Sequence, residues 1–152
     1  LLHLLKPEAV KVVSTVSSKK RLLQVVGELA NSVYGLDVSE TVSALQERET
    51  LGPTGVGHGV ALPHARSKTM EHVVGTFILL EKPVDFGAVD NQPVDLVFSL
   101  FAPEAAGVDH LKALALVSRT LRDSSFCAKL RSNQDSATLY TILTASQNTA
   151  AA

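Results

Sequence analysis

The chain has 152 residues, of which 45% are hydrophobic, 19% charged and 5% aromatic, and its formal net charge is −1. This length and composition predict one soluble globular domain over residues 1–152 and exclude disordered or fibrous classes. Lysine and arginine are spread along the sequence without a basic block, so we expect no nucleic-acid partner. No apolar run approaches the roughly 20 residues that cross a bilayer, so we expect no membrane insertion.

The termini and the single cysteine indicate where the protein works. Cys127 has no second cysteine with which to close a disulfide, and a reducing cytoplasm is its simplest location. The first residues, LLHLLKPEAV, lack the basic start and cleavage site of a secretory signal, so we interpret them as the beginning of the domain. At the other end, small and polar residues predict a frayed tail over residues 146–152.

A strand and two helices are predicted first along the chain. Residues 10–13 are mostly β-branched and predict a strand, and helical spacing of apolar residues then predicts a helix that ends at Gly35. Asp37 and Glu40 have the spacing of a capping box and predict a second helix that ends near Gly52. The apolar residues expected on the inner faces of these helices are Leu22, Val25, Val26, Leu29, Val33, Val42 and Leu45.

The second half of the chain predicts a sheet followed by helices. The sequence predicts three strands, VALPH, HVVGTFILL and VDLVFSLF. A turn-rich connection joins the last two. Helical spacing begins at Asp109, and Asp123 and Asp135 are candidate caps of two further helices that end near Leu143. The apolar stripe of the first of these helices is Leu111, Leu114, Val117 and Leu121. The order of elements predicts an α/β fold of three layers, α/β/α, with a mixed sheet flanked by helices.

Glycine is concentrated in the middle of the chain, in GPTGVGHG. Such a segment either permits tight turns between a helix and a strand, or exposes successive backbone amides that bind an anion such as a phosphoryl group. In the second case the cradle would be formed by Thr54, Gly55, Gly57 and Gly59. The segment lacks the lysine that follows the glycines of a P-loop, and its third glycine is wrongly spaced for a dinucleotide-binding motif. We therefore expect no nucleotide and no other cofactor.

Three polar residues are candidates for chemistry. His64 follows Pro63, which restricts its backbone, and a neutral imidazole can attack a phosphoryl or acyl group at physiological pH. Arg48 continues the inner stripe of the second helix, where a guanidinium fork would suit phosphate oxygens. His110 lies on the inner stripe of the next helix, in its first turn, where the charged form of imidazole is disfavoured.

Each candidate also has an ordinary structural interpretation. His64 and His110 could be hydrogen-bonded histidines without a function, and Arg48 could extend into solvent beside Glu47 or Glu49. The spacings of the histidines match no metal signature, so no metal is expected. His3, His58 and His72 are expected to face solvent, and Cys127 is expected to fill the core.

Two blocks of sequence resemble a known family. ERETLGPTGVGHGVALPHAR and DNQPVDLVFSLFAPEAAGVDHLKALALVSRTLRD are similar to the enzyme IIA component of the bacterial phosphotransferase system, in its fructose/mannitol class and most of all in the nitrogen-regulatory branch of that class. The resemblance runs from about Val10 to Leu143. It departs from the usual pattern at Ala65, where many members have glycine, and at His58, which interrupts the glycines.

The resemblance implies the mannitol-type IIA fold and a cytoplasmic phosphocarrier. His64 would accept a phosphoryl group from the phosphohistidine of an HPr-like partner, which is called NPr in the nitrogen branch. The protein would regulate other proteins through its phosphorylation state. His110 would hydrogen-bond to the phosphoryl group and Arg48 would clamp it. The apolar residues proposed for the docking rim are Leu51, Val56, Val60 and Met70.

Two further functions stay open at this point. A sugar-specific enzyme IIA would pass its phosphoryl group to the IIB domain of a transporter. A regulatory binding protein would contact kinases, transporters or transcription regulators, with phosphorylation acting only as a switch of its surface. The second of these is compatible with the phosphocarrier.

Overall fold

The structure is a computed structural model that describes residues 1 and 3–151, with side chains through Ala145. These residues form a short 3-10 helix, Pro7–Ala9, six strands and five α-helices. The strands are β1 (Val10–Val13), β2 (Gly55–Gly57), β3 (Val60–Ala61), β4 (His64–Ser67), β5 (Val74–Val84) and β6 (Val94–Pro103). The helices are α1 (Lys19–Tyr34), α2 (Val38–Thr50), α3 (Val108–Leu121), α4 (Ser124–Arg131) and α5 (Ser136–Ala151).

One mixed sheet organises the molecule. The strand order is β1-β5-β6-β3-β2, and β4 also pairs with β6. β5 and β6 are antiparallel, whereas β1 is parallel to β5, and both β3 and β4 are parallel to β6. β3 pairs with β6 from Leu96 and β4 pairs with it from Leu100, so β3 and β4 follow each other along the same side of β6.

The helix boundaries follow the predicted capping residues. Asp37 accepts a hydrogen bond from the Glu40 amide at 2.9 Å at the start of α2, and Gly35 ends α1 in the left-handed region with φ of 74°. Asp123 and Asp135 likewise accept hydrogen bonds from first-turn amides of α4 and α5. These signals depend on residues that are close in sequence, so they can be recognised without knowing the fold.

Helices cover both faces of the sheet and confirm the predicted three-layer α/β/α fold. One core lies between the sheet and helices α1 and α2, and it contains Leu22, Val26, Leu45, Ile78, Phe86, Val97 and Phe101. The other lies between the sheet, helices α3 to α5 and the first residues of the chain, and it contains Leu4, Phe77, Leu96, Phe98, Val117, Cys127, Leu130 and Leu139. Cys127 fills the second core as predicted.

Several predictions from the sequence need correction. The glycine-rich segment contains a strand, β2, and forms a hairpin with β3 instead of an open loop. VALPH is not one strand, because the pairing is interrupted at Leu62 and Pro63 before β4 begins. Leu111 was placed on the apolar stripe but is 65% exposed, because the buried face of α3 is formed by His110, Ala113, Val117 and Leu121.

The two ends of the fold complete the description. Helix α5 continues to Ala151, beyond the predicted end near Leu143. The predicted frayed tail, residues 146–152, lies outside the residues whose side chains are described and stays a prediction. None of the helices within the described residues is long and apolar enough to cross a membrane.

Candidate functional site

His64 begins an edge segment of the sheet directly after a break in pairing. Pro63 has no amide hydrogen to donate, but its carbonyl oxygen accepts from the Leu100 amide at 3.0 Å, and His64 then pairs with Leu100 at the start of β4. The backbone in front of the imidazole is therefore fixed on β6. A proline is tolerated at this position because the pairing uses its carbonyl oxygen and no amide hydrogen.

Two hydrogen bonds determine which nitrogen of His64 carries the proton. Nδ1 lies 2.9 Å from the carbonyl oxygen of Leu62, which can only accept, so Nδ1 is the protonated nitrogen of the neutral ring. Nε2 accepts a hydrogen bond of 3.2 Å from Nε of Arg48. The ring therefore presents the lone pair of Nε2 toward Arg48, which is the form of imidazole that acts as a nucleophile.

Arg48 reaches His64 from the last turns of α2. Its side chain is half-buried, and its Nη1 donates to the carbonyl oxygen of Gly52 at 3.0 Å, which holds the guanidinium at the end of the helix. The alternative, a guanidinium extended into solvent beside Glu47 or Glu49, is not observed, because the described contacts of Arg48 are with His64 and Gly52. Glu49 instead pairs with Lys19 at 2.8 Å. Arg48 thus retains further N–H donors for an anion near His64.

His110 reaches the same place from the opposite helical layer. It lies in the first turn of α3 and is 6% exposed, and its ring centroid is 5.4 Å from that of His64 with the ring planes inclined by 54°. Its Nδ1 is buried and has no hydrogen-bond partner among the described residues. Because a buried polar atom without a partner is costly, this nitrogen points to a ligand or a water that completes the site.

A cavity of about 400 Å³ joins the three predicted side chains. Its walls come from α2, the following turn, β4 and α3, and the lining residues are Ala44, Glu47, Arg48, Leu51, His64, Ala65, Arg66 and His110. The structure therefore brings His64, Arg48 and His110 together although they are far apart in sequence. Among the described residues, the cavity lining does not include Thr54, Gly55, Gly57 or Gly59.

The predicted phosphate cradle is used for internal packing. The hydroxyl and the amide of Thr54 both donate to the Glu49 carboxylate. Gly55 lies so close to the β5–β6 connection that a Cβ there would be 2.8 Å from the Cβ of Ala88. Gly59, with φ of 80°, forms the hairpin turn, and its carbonyl oxygen accepts from the amides of Asp95 and Leu96. The glycine segment thus corresponds to the turn interpretation, and we do not include it in the anion site.

The remaining sequence candidates lie elsewhere. His3, His58 and His72 are exposed as predicted, and the His58 carbonyl oxygen accepts from Arg131 at 2.8 Å. Within the described part of the chain, no group of three metal-binding side chains is placed to hold an ion. Of the four proposed rim residues, Leu51 and Val56 are exposed and Met70 is partly buried, but Val60 is buried in β3 and the prediction for it is wrong.

Sequence reasoning missed three contributors to the site. The Leu62 carbonyl fixes the His64 tautomer, Glu49 holds the segment after Arg48, and Arg66 lines the cavity. The signal for Arg66 was available, since residues two apart on a strand lie on the same side, but β4 had not been recognised as a separate strand.

The environment lowers the pKa of both cavity histidines. Burial is the main cause for His64, with a further contribution from the positive charges of Arg48 and Arg66, partly offset by the Leu62 carbonyl and by Glu49. Burial is again the main cause for His110, followed by His64 and Arg66. Both shifts favour the neutral form of the rings at pH 7.

A pH titration of the two rings followed by NMR tests this electrostatic account. We expect midpoints below the ordinary histidine value of about 6.5 for both His64 and His110. Each pKa is lower in the folded than in the unfolded protein, so above the unfolded-state pKa the neutral rings add to the free energy of unfolding. This contribution is lost as the pH falls through the folded-state pKa. A midpoint above 6.5 for either ring would contradict the assignment of both as neutral groups.

Comparison with known proteins shows the family to which the chain belongs. The family described as "Phosphoenolpyruvate-dependent sugar phosphotransferase system, EIIA 2" matches residues 3–146. The "Nitrogen regulatory protein" of Bradyrhizobium diazoefficiens is 45% identical over 148 residues, which are 97% of this chain and 97% of that protein. The crystal structure of nitrogen regulatory protein IIA-Ntr from Neisseria meningitidis superimposes with a TM-score of 0.85 at 34% identity, covering 93% of this chain and 97% of that one.

A more distant structure supports the fold alone. The crystal structure of IIA mannitol from Escherichia coli has a TM-score of 0.72 at 23% identity, over 86% of this chain and 92% of that chain. The fold is therefore of the mannitol IIA type, and the chain belongs to the EIIA 2 family of the phosphotransferase system. As a member of that family, it is a phosphocarrier component of such a system.

Proposed function

We propose that the protein is the phosphocarrier of a nitrogen-regulatory phosphotransferase system, and that it accepts a phosphoryl group on Nε2 of His64 from the phosphohistidine of an NPr-type donor. The observation that carries the proposal is the lone pair of Nε2, held by the Leu62 and Arg48 hydrogen bonds in a cavity that also contains His110. The similarity to nitrogen regulatory proteins supports the choice of branch.

The transfer is an exchange between two imidazoles. The Nε2 lone pair of His64 forms the new N–P bond while the bond to the donor nitrogen breaks, and that electron pair returns to the donor ring. Each ring keeps the proton on its other nitrogen, which for His64 is Nδ1 on the Leu62 carbonyl. No metal or cofactor takes part in this step.

Arg48 and His110 stabilise the charge of the transferred group. As the phosphoryl group approaches, the Arg48 guanidinium exchanges its hydrogen bond with Nε2 for hydrogen bonds to phosphoryl oxygens. The imidazole of His110, 5.4 Å away between ring centroids, supplies a neutral donor on the other side. Both groups are in place before the reaction, which keeps the cost of reorganisation low.

An apolar rim around the cavity fits the docking of a protein donor. Leu51, after α2, is 81% exposed, and Val108 and Leu111, on either side of His110 in α3, are 63% and 65% exposed. Exposed large apolar side chains around a shallow cavity are typical of a surface that is covered by a partner. In this proposal the protein works in the cytoplasm, and its regulatory targets bind the phosphorylated and unphosphorylated forms differently.

Incubation with phosphoenolpyruvate and purified enzyme I and NPr tests the proposal. We expect one acid-labile phosphoryl group per chain, with a faster transfer from NPr than from a sugar-branch HPr. Absence of labelling would contradict the phosphocarrier function. Fast transfer onward to an isolated IIB domain would instead identify a sugar-specific enzyme IIA.

A further inference from the structure

One guanidinium links the strand that carries His64 to the loop that precedes the helix of His110. Arg66 lies in β4, two residues after His64 and on the same side of the strand, and it also lines the cavity. Its Nη1 points away toward the β6–α3 connection and donates to backbone oxygens there. The acceptors are the carbonyl oxygens of Pro103 at 3.4 Å, Glu104 at 3.0 Å and Ala106 at 3.2 Å.

Within the described residues, few hydrogen bonds hold the start of α3, although Ala106 and Ala113 pack against the core. Its N-cap is Gly107, which has no side chain and therefore no capping hydrogen bond. The loop has one internal backbone bond, from the Ala106 amide to the Pro103 carbonyl at 3.0 Å. Among the described residues, Arg66 is the side chain that hydrogen-bonds to this loop, and it does so from an exposed position with three carbonyl acceptors around one guanidinium nitrogen.

The position of the His110 ring depends on where α3 begins. His110 is the third residue of the helix, and no hydrogen bond to Nδ1 fixes its ring. The 5.4 Å separation from the His64 ring is therefore set by the backbone of the first turn and by packing. A shift of the Pro103–Ala106 loop would move the first turn, and His110 with it.

We propose that Arg66 is a positioning residue for phosphoryl transfer, because its guanidinium fixes the Pro103–Ala106 loop and thereby fixes the His110 imidazole beside His64. This role rests on the proposed function of the same site. Arg66 acts on the reaction through His110, and its effect belongs to the transfer step rather than to donor binding.

The test is a double-mutant cycle in single-turnover phosphoryl transfer from an excess of phosphorylated NPr, with the observed rate followed as a function of donor concentration. Arg66→Gln is expected to lower the rate at saturating donor by about tenfold, within the range that misplacement of a catalytic group produces, and to leave the half-saturating donor concentration unchanged. At about pH 8, well above the ordinary histidine value, His64 is neutral with or without the Arg66 charge that lowers its pKa. There, in the His110→Ala background, the same substitution is expected to have little further effect, since the group it positions is gone. Arg66→Lys keeps the charge with a single donor group and should recover only part of the rate.

A matched control and a direct structural readout complete the design. Lys68→Gln removes a positive charge from an exposed side chain two residues further along the chain, outside the cavity lining, and should transfer at the wild-type rate. In unphosphorylated Arg66→Gln, amide exchange over residues 104–108 should be faster and the NMR signals of the His110 ring should shift. The melting temperature should remain close to that of the wild type.

Three results would overturn the proposal while leaving the phosphocarrier function intact. One is an Arg66→Gln protein that transfers at the wild-type rate. Another is a loss of rate that is equally large with and without His110. The third is a higher half-saturating donor concentration at an unchanged maximal rate, which would make Arg66 a docking contact. A wild-type chain that takes no phosphoryl group would instead contradict the proposed function itself.

Discussion

Replacing His64 by alanine is expected to abolish phosphorylation of the protein by NPr. The cavity contains two histidines, but only the Nε2 of His64 combines a lone pair with a guanidinium placed to neutralise the incoming group. Without that nitrogen there is no acceptor, so the loss should be complete rather than partial. The measurement is incorporation of label from phosphoenolpyruvate through enzyme I and NPr.

The control for this loss is a histidine of the same chain outside the cavity. His72 is exposed, and His72→Ala should be labelled to the same extent and at the same rate as the wild type. His64→Gln, which keeps a side chain of similar reach, should be as inactive as His64→Ala and should have nearly the wild-type melting temperature. Full labelling of His64→Ala would place the phosphoryl group on another residue.

Replacing Arg48 by alanine is expected to slow transfer on the order of a hundredfold to a thousandfold. This is the range for removal of one preorganised donor that stabilises developing charge. The transfer rate of Arg48→Lys should lie between those of the wild type and Arg48→Ala, because a lysine offers a point charge without the planar fork that binds two phosphoryl oxygens. Arg119, in the last turn of α3, is a helical arginine like Arg48 but is exposed, and Arg119→Ala should behave as the wild type.

The same substitution has a second expected effect that distinguishes it from a loss of folding. The positive charge of Arg48 is one of the causes of the lowered pKa of His64, so its removal should raise that pKa. The low-pH side of the rate profile, where His64 becomes protonated and cannot attack, should therefore move to higher pH. A lower rate with an unmoved profile would mean that Arg48 acts at a distance from the His64 ring.

Local signals made most of the fold predictable. The caps at Asp37, Asp123 and Asp135 and the end of α1 at Gly35 depend on residues within one turn of each other, and each lies where the sequence predicts it. The short strands were not predictable in the same way, because β2 and β4 are strands only by pairing with distant segments.

The candidate site was predictable in its members but not in its boundaries. Arg48 and His110 stood out because each is polar on an otherwise apolar helix face, and both do face His64. The glycine segment left two interpretations open, a tight turn or an anion cradle, and the close approach of Gly55 to Ala88 supports the turn. Arg66 was missed because β4 had not been recognised as a strand of its own, on which residues two apart lie on the same side.

The most direct test of the central claim is to identify the nitrogen that carries the phosphoryl group, by ¹⁵N and ³¹P NMR of the phosphorylated protein. The Nδ1 hydrogen bond to the Leu62 carbonyl leaves Nε2 of His64 as the nucleophile, so the account predicts a single phosphohistidine, modified at Nε2 of His64. A phosphoryl group on Nδ1 of His64, or on His110, would contradict it.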